Sequence, residues 1–452
     1  MKIDLVIRDG IIVSPEGQAR GDLLVADGRV VGMVAPGTGE GAQVVDAAGL
    51  YVLPGAIDPH VHMMDPGLTE KEDFTTGTGA AAVGGVTTVV EHHRSLPFVL
   101  DAKTLKDKAA YLASRGLIDY ALFGGLQPDN IDQLGPMWRA GAAAFKGFTC
   151  NLHGAPAVLA DKMLEGFREV AKFDGLCLIH CEDEFITKAN EERLKAAGRK
   201  DFRCVPEWRT REAEELAVAS TALLARITGA RVVIAHASHP AVLDIINRER
   251  AAGAKLWVES CPQYFYLTED EIDQWGPWHK FTPPARDRAS TEEMWRRLQA
   301  GEIDMLVADH APSTKADKSQ GLTDIWACPF GIPGVETVLP MMLTGVNEGK
   351  VSLERIVAAR SLLPAQVYGL YPRKGNLNIG ADADFVLVDM QAEKILRDED
   401  VVAKVGWTPY AGRRVKGLPI KTFVRGKLVA ENGKPVGKPG WGKFLPGPGA
   451  RK

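Results

Sequence analysis

The sequence predicts an α/β protein, a closed (β/α)8 barrel accompanied by a small β-sandwich domain built from both ends of the chain. Three observations predict it. Eight apolar, β-prone runs recur through the middle of the chain, each followed by a segment that can hold a helix. The two ends have a different texture, short β-rich runs broken by Gly-containing turns. And polar, proton-binding residues fall at the C-terminal ends of the central runs, where a barrel would gather them.

In chain order, "DLVIRDGIIVSPEG" and "DLLVADGRVVGMV" come first, each carrying Asp-Gly, a strong hairpin signal. "ADADFVLVDM" and "IKTFVRGKLVAENGKPVG" repeat that texture near the other end. Neither end can close a core alone, so residues 1–53 and 376–440 are expected to share one β domain. Between them lie the runs 51–57, 86–90, 118–124, 142–148, 175–179, 230–235, 254–258 and 303–308. Segments such as "REAEELAVASTALLARITG" follow, with apolar residues three and four apart, the helical period. Apolar strands alternating with helices imply a parallel sheet covered on both faces. Eight such units imply closure over residues 54–375, although an open doubly wound sheet has the same alternation. The Gly/Pro-rich stretch 441–452 is expected to be a loose tail.

Composition is that of a globular protein, 45% hydrophobic and 25% charged over 452 residues. A formal net charge of -4 leaves no basic footprint for nucleic acid or for a membrane surface. Charges at Lys2, Asp4, Arg8 and Asp9 interrupt any leader-like apolar run. Six scattered cysteines form no CxxC pair or disulfide framework. A cytoplasmic protein with reduced thiols is expected.

The chemistry sits at the strand ends. The first run leads to "DPHVH", placing His60 and His62 two apart and so on one face of a strand. The fourth holds Lys146, the fifth leads to His180, the sixth to His236 and the eighth to Asp309. Singly, each has a plainer reading: a hydrogen-bonded histidine, a rim lysine, a helix N-cap. Together, four imidazoles and a carboxylate converging on one pocket suit a divalent metal such as zinc.

These residues, with "GLYVLPGAIDPHVH", "CPQYFYLTEDEI", "FTPPARD", "ADHAPSTKADK" and "GNLNIGADADFVLVD", resemble the binuclear amidohydrolase superfamily over nearly the whole chain. The similarity is greatest to its cyclic amidohydrolases (hydantoinase, dihydropyrimidinase, allantoinase and dihydroorotase), and in style to allantoinase. The resemblance implies two divalent metal ions, zinc first and manganese or cobalt as alternatives. His60 and His62 would hold one, and His180 and His236 the other. Lys146, carbamylated by carbon dioxide to N6-carboxylysine, would bridge them, because an unmodified ammonium has no lone pair to offer. Asp309 would complete the first metal's shell and serve as general base and acid for a metal-bridging hydroxide that opens a C–N bond of a cyclic amide or ureide. Main-chain groups around Thr282 and Phe330 would hold the substrate. A homotetramer or homodimer follows from the same resemblance.

Departures narrow the substrate. Met64 stands where dihydroorotases carry a carboxylate-gripping arginine, and Asn151 where hydantoinases and dihydropyrimidinases place a tyrosine. "EHHRS" departs from the allantoinase pattern. His92, His93 and Arg94 either reach substrate, Arg94 meeting a carboxylate or ureido oxygen, or pack beneath the rim. Met63 and Met64 either form an apolar substrate wall or pack under a loop. His310 is either a support for Asp309 or structural. Cyclic-imide hydrolysis stays open as an alternative, and dihydroorotase or a non-catalytic oligomeric relative fits less well.

Overall fold

The computed structural model describes residues 2–451. At the N-terminus β1 (Leu5–Ser14), β2 (Gly17–Ala26), β3 (Arg29–Val34), β4 (Gln43–Asp46) and β5 (Tyr51–Pro54) form half of a mixed sheet. The two Asp-Gly pairs behave differently. Asp27 and Gly28, at φ 49° and 72°, make the expected tight turn between β2 and β3. Asp9-Gly10 instead forms a bulge inside β1, where the register against β2 shifts and the Asp22 carboxylate accepts from Asp9 N at 2.7 Å. A Cβ at Gly10 would lie 2.5 Å from Val52 Cγ2, so the bulge packs on β5.

The barrel strands are β6 (Ala56–Val61), β7 (Val86–Glu91), β8 (Asp119–Gly125), β9 (Ala144–Phe148), β10 (Leu176–His180), β11 (Arg231–Ile234), β12 (Leu256–Ser260) and β13 (Met305–Leu306). All pair in parallel, in chain order. β6 and β13 do not pair directly. His310 closes the ring, accepting from His62 N at 2.7 Å and donating from its own N to His60 O at 3.2 Å. The strands are buried on both faces, as the uninterrupted apolar runs require.

The chain end completes the mixed sheet with β14 (Phe385–Ile395), β15 (Arg414–Val424), β16 (Lys427–Glu431) and β17 (Lys434–Pro435). The order is β17-β16-β15-β14-β5-β1-β2-β3, with β4 also paired to β1. The expected two-ended β domain is therefore one hydrogen-bonded sheet. Its inner face packs Leu5, Ile7, Leu23, Val52, Phe385 and Phe423 into a separate apolar cluster. The join is β5 against β14, antiparallel from Phe385↔Pro54 to Val388↔Tyr51.

Two expectations are corrected. The run 51–57 is two strands, β5 in the mixed sheet and β6 in the barrel, divided at Gly55. A Cβ at Gly55 would lie 2.2 Å from Thr87 Oγ1, so only glycine lets the chain pass between the sheets there. The C-terminal stretch is not loose. Lys443 N donates to Asp119 Oδ1 at 2.8 Å, Leu445 N to Tyr120 O at 2.7 Å and Gly447 N to Gly141 O at 2.9 Å. Leu445 is buried. Nearby, at the start of β8, Lys374 bridges Asp119, Asp382 and Asp384 without solvent contact, joining barrel and sheet. Burial opposes its charge, but the three carboxylates outweigh that and raise its pKa. Among the described residues no helix is long and apolar enough to cross a membrane.

Candidate active site

His60, His62, Lys146, His180, His236 and Asp309 all line one small cavity at the C-terminal end of the barrel. Thr282 and Phe330 line it too, with Phe148, Leu152 and His153. His60 is the penultimate residue of β6, Lys146 the middle residue of β9 and His180 the last residue of β10. His236 and Asp309 sit just past β11 and β13 with φ of 36° and 45°. Non-glycine residues rarely adopt that left-handed backbone, and such strain gathers at functional sites.

His60 and His180 each have one ring nitrogen held by a buried carboxylate. His60 Nδ1 contacts a buried Glu259 carboxylate oxygen from β12. That leaves His60 Nε2 facing Asp309 Oδ1 at 3.1 Å and Lys146 Nζ at 3.4 Å. His180 Nε2 bonds Glu182 Oε2 at 2.6 Å, and His180 Nδ1 faces His236 Nε2 at 2.9 Å. Glu182 is itself held by Thr282 Oγ1 at 2.6 Å and Arg209 Nη1 at 3.3 Å. Two imidazole nitrogens this close, one already directed by a carboxylate, form a ready donor pair for a cation. His62 Nδ1 and His236 Nδ1 are buried without a hydrogen-bond partner among the described residues. Carboxylates that hold the far nitrogen of a histidine are the usual support for a metal ligand. The residues present therefore fit divalent cations.

Electrostatics agree. Burial, reinforced by neighbouring cationic groups, holds His60, His62 and His236 well below the ordinary histidine range. Neutral imidazoles are the form that binds metal. Burial lowers Lys146 to about 8 and raises Asp309 to about 6, each partly offset by the other's charge. Glu182 goes the opposite way from burial, because Arg209, His180 and Thr282 together keep it ionised.

The remaining expectations divide. Asn151 is exposed and its amide group faces Glu184, with Asn151 N donating to the same carboxylate at 2.7 Å. It does not line the cavity, because Glu184, the first residue of the helix Glu184–Ala196 that follows β10, holds it outward. Met64 is buried and Arg94 half-buried, and neither lines the cavity. Met63 packs beneath the helix Phe74–Val83, where a Cβ on Gly77 would lie 2.3 Å from its sulfur. His92 and His93 are fully enclosed, His92 stacked on His60 with centroids 4.4 Å apart. His310 is structural, its Nδ1 accepting from Gly334 N at 3.1 Å. Glu259 and Glu182 escaped the sequence reading, although both stand at the end of an apolar run, the same signal that marked the histidines. Replacing Glu259 with Gln is expected to weaken zinc binding by about 10–100-fold, measured by chelator competition. Unchanged affinity would remove it from the support of His60.

A sequence model of the Amidohydrolase family matches residues 51–429. The L-hydantoinase of Paenarthrobacter aurescens is 34% identical over 447 residues, covering 98% of each chain. The allantoinase of Deinococcus radiodurans is 35% identical over 444 residues, covering 97% of this chain and 98% of its own. The solved structure of L-hydantoinase (dihydropyrimidinase) from Arthrobacter aurescens superposes with a TM-score of 0.96 at 33% identity, covering 98% of this chain and all of the other. With a family model spanning residues 51–429 and a solved relative superposing over 98% of the chain, the chain belongs to the amidohydrolase family.

Proposed function

We propose that this chain is a metal-dependent hydrolase that opens a carbon–nitrogen bond of a cyclic amide or ureide, as its hydantoinase and allantoinase relatives are named for doing. The observation that carries the proposal is the convergence of His60, His62, Lys146, His180, His236 and Asp309 on one cavity. His60, His62 and Asp309 would hold one divalent ion and His180 and His236 the other, zinc first, with manganese or cobalt suiting the same donors. Lys146 would join both as its carbamate, formed when the neutral amine nitrogen adds to the carbon of carbon dioxide and loses a proton. Bound there, the ions would supply Lewis-acid polarisation of the substrate carbonyl and an acidified water.

The chain's own groups do the rest. Asp309 accepts a proton from the attacking water at its carboxylate and passes it to the leaving ring nitrogen. Thr282 commits its hydroxyl to Glu182, so the main chain at Thr282 and Phe330 is what faces the ring. Phe148, Leu152 and Phe330 give the cavity an apolar wall against bulk water. Residues 54–375 carry this chemistry, and 1–53 with 376–440 form the supporting β domain. The superposed structure is also named a dihydropyrimidinase, which keeps dihydropyrimidines as the second substrate class, with cyclic imides as the alternative read from the sequence.

The test is a panel of allantoin, hydantoin, dihydrouracil, dihydroorotate and cyclic imides, each with zinc, manganese and cobalt. Ring opening of allantoin or hydantoin is expected. Turnover of dihydroorotate alone, or of no ring by protein with its ions bound, would sink the reading. Self-association as a homodimer or homotetramer belongs to the same proposal. It is supported by Leu216, Leu223 and Ile227, spaced along the helix Arg211–Thr228 and exposed to 51%, 40% and 58%. Light scattering should give a multiple of the chain mass, and Leu223→Lys with Ile227→Lys should reduce it.

A further inference from the structure

The loop after β9 holds one imidazole that the proposed reaction does not use. Leu152 and Ala155 exchange both main-chain hydrogen bonds, Leu152 N to Ala155 O at 3.1 Å and Ala155 N to Leu152 O at 2.9 Å. His153 and Gly154 are therefore the two central residues of a tight turn, at φ 56° and 80°. Both are left-handed, the conformation for which Asn-Gly or Gly-Gly is the ordinary choice. A histidine is strained there, and the turn itself asks for no imidazole. Such strain points to a task for the side chain.

The surroundings show which task. His153 lines the cavity beside Leu152 and Phe148, among the same walls as His180 and Phe330. Of the five histidines lining that cavity, four are candidate metal ligands and His153 is the fifth. Among the described residues it has no hydrogen-bond or ring-stacking partner. Burial, then the nearby Arg94 guanidinium, holds it well below the ordinary histidine range. A neutral imidazole donates from one nitrogen and accepts at the other. That is the complement of an edge on which C=O and N–H alternate. The side chain expected to fill this role from the sequence, Asn151, is turned outward to Glu184 instead.

We infer that His153 is a substrate-contacting residue, its imidazole hydrogen-bonded to the polar edge of the ring and so selecting which rings the site accepts. The chemical nature of that ring rests on the proposed function; the presence of the contact rests on the turn and the cavity.

The experiment uses the full-length, zinc-loaded protein and two variants. His153→Asn keeps a residue that tolerates the left-handed turn. His153→Gly removes both strain and imidazole. In each, KM for the best ring substrate should rise about tenfold, the size of one lost hydrogen bond. The value of kcat should stay within about threefold and ion content should not change. The glycine variant should melt at or above the wild-type temperature, because the turn favours glycine. Unchanged KM in both variants overturns the inference. So does a fall in melting temperature with loss of ions, which marks a structural role, and so does a fall in kcat alone. Calorimetric binding of hydantoin and allantoin separates the two proposals. If no ring is opened but binding weakens in His153→Gly, the contact stands and the ring-opening reading fails. Equal binding by both proteins, or binding by neither, overturns the contact.

Discussion

Replacing Asp309 with Asn should lower kcat for ring opening by about 10³–10⁴-fold, near the upper end for loss of a general acid–base. The size follows from position. Among the described residues lining the cavity, Asp309 is the sole carboxylate, so no neighbour can take over proton transfer. Asparagine is nearly isosteric and tolerates the left-handed backbone that Asp309 adopts at φ 45°. The fold should therefore survive, and the loss should fall on kcat. Steady-state assay with ion content measured on the same sample checks this. Activity within tenfold of wild type, with ions bound, would place the base elsewhere.

Lys146→Met should remove activity and most of the bound metal together. Lys146 is buried at 1% exposure, and its amine meets His60 Nε2 but, among the described residues, no carboxylate within ion-pair distance. As an amine it is a poor resident of that site, since an ammonium repels cations and its burial is unfavourable. Methionine fills a similar volume without that penalty. The metal-free variant should thus unfold at an equal or higher urea concentration than metal-free wild type, while ion content collapses. A variant that keeps its ions would remove Lys146 from the proposed ligand set. In the wild-type protein grown with bicarbonate, intact mass should exceed the sequence mass by one carbon dioxide.

Each of the eight central runs supplies at least part of a barrel strand, and the strand-end residues meet in one cavity, because both follow from local patterns. Apolar continuity marks a strand buried on both faces, and a histidine or aspartate at its end is conspicuous. What escaped depended on more distant relations. The run 51–57 is apolar throughout, and only the crowding of Gly55 by Thr87 shows that it changes sheets. Glu259 and Glu182 look like rim residues until His60 and His180 are placed beside them. Counting residues from Lys146 points to Asn151, but the two-residue turn at His153 and Gly154 puts His153 on the cavity instead. The tail appeared loose because Gly and Pro are common there. In fact Gly442 and Gly447 allow close approach, with a Cβ at either lying 2.0 Å from a barrel carbonyl oxygen.

The pairing of β5 with β14 also has a consequence for synthesis. β5 ends at Pro54 and its partner begins at Phe385. At ribosomal rates of about 5–20 residues per second, β5 would leave the ribosome on the order of tens of seconds before β14 exists. Throughout that interval the nascent N-terminal hairpins would present an unpaired apolar edge, the kind that invites association with other chains. Slower translation or a shortage of holding chaperones should therefore harm the yield of this protein more than its native stability would suggest.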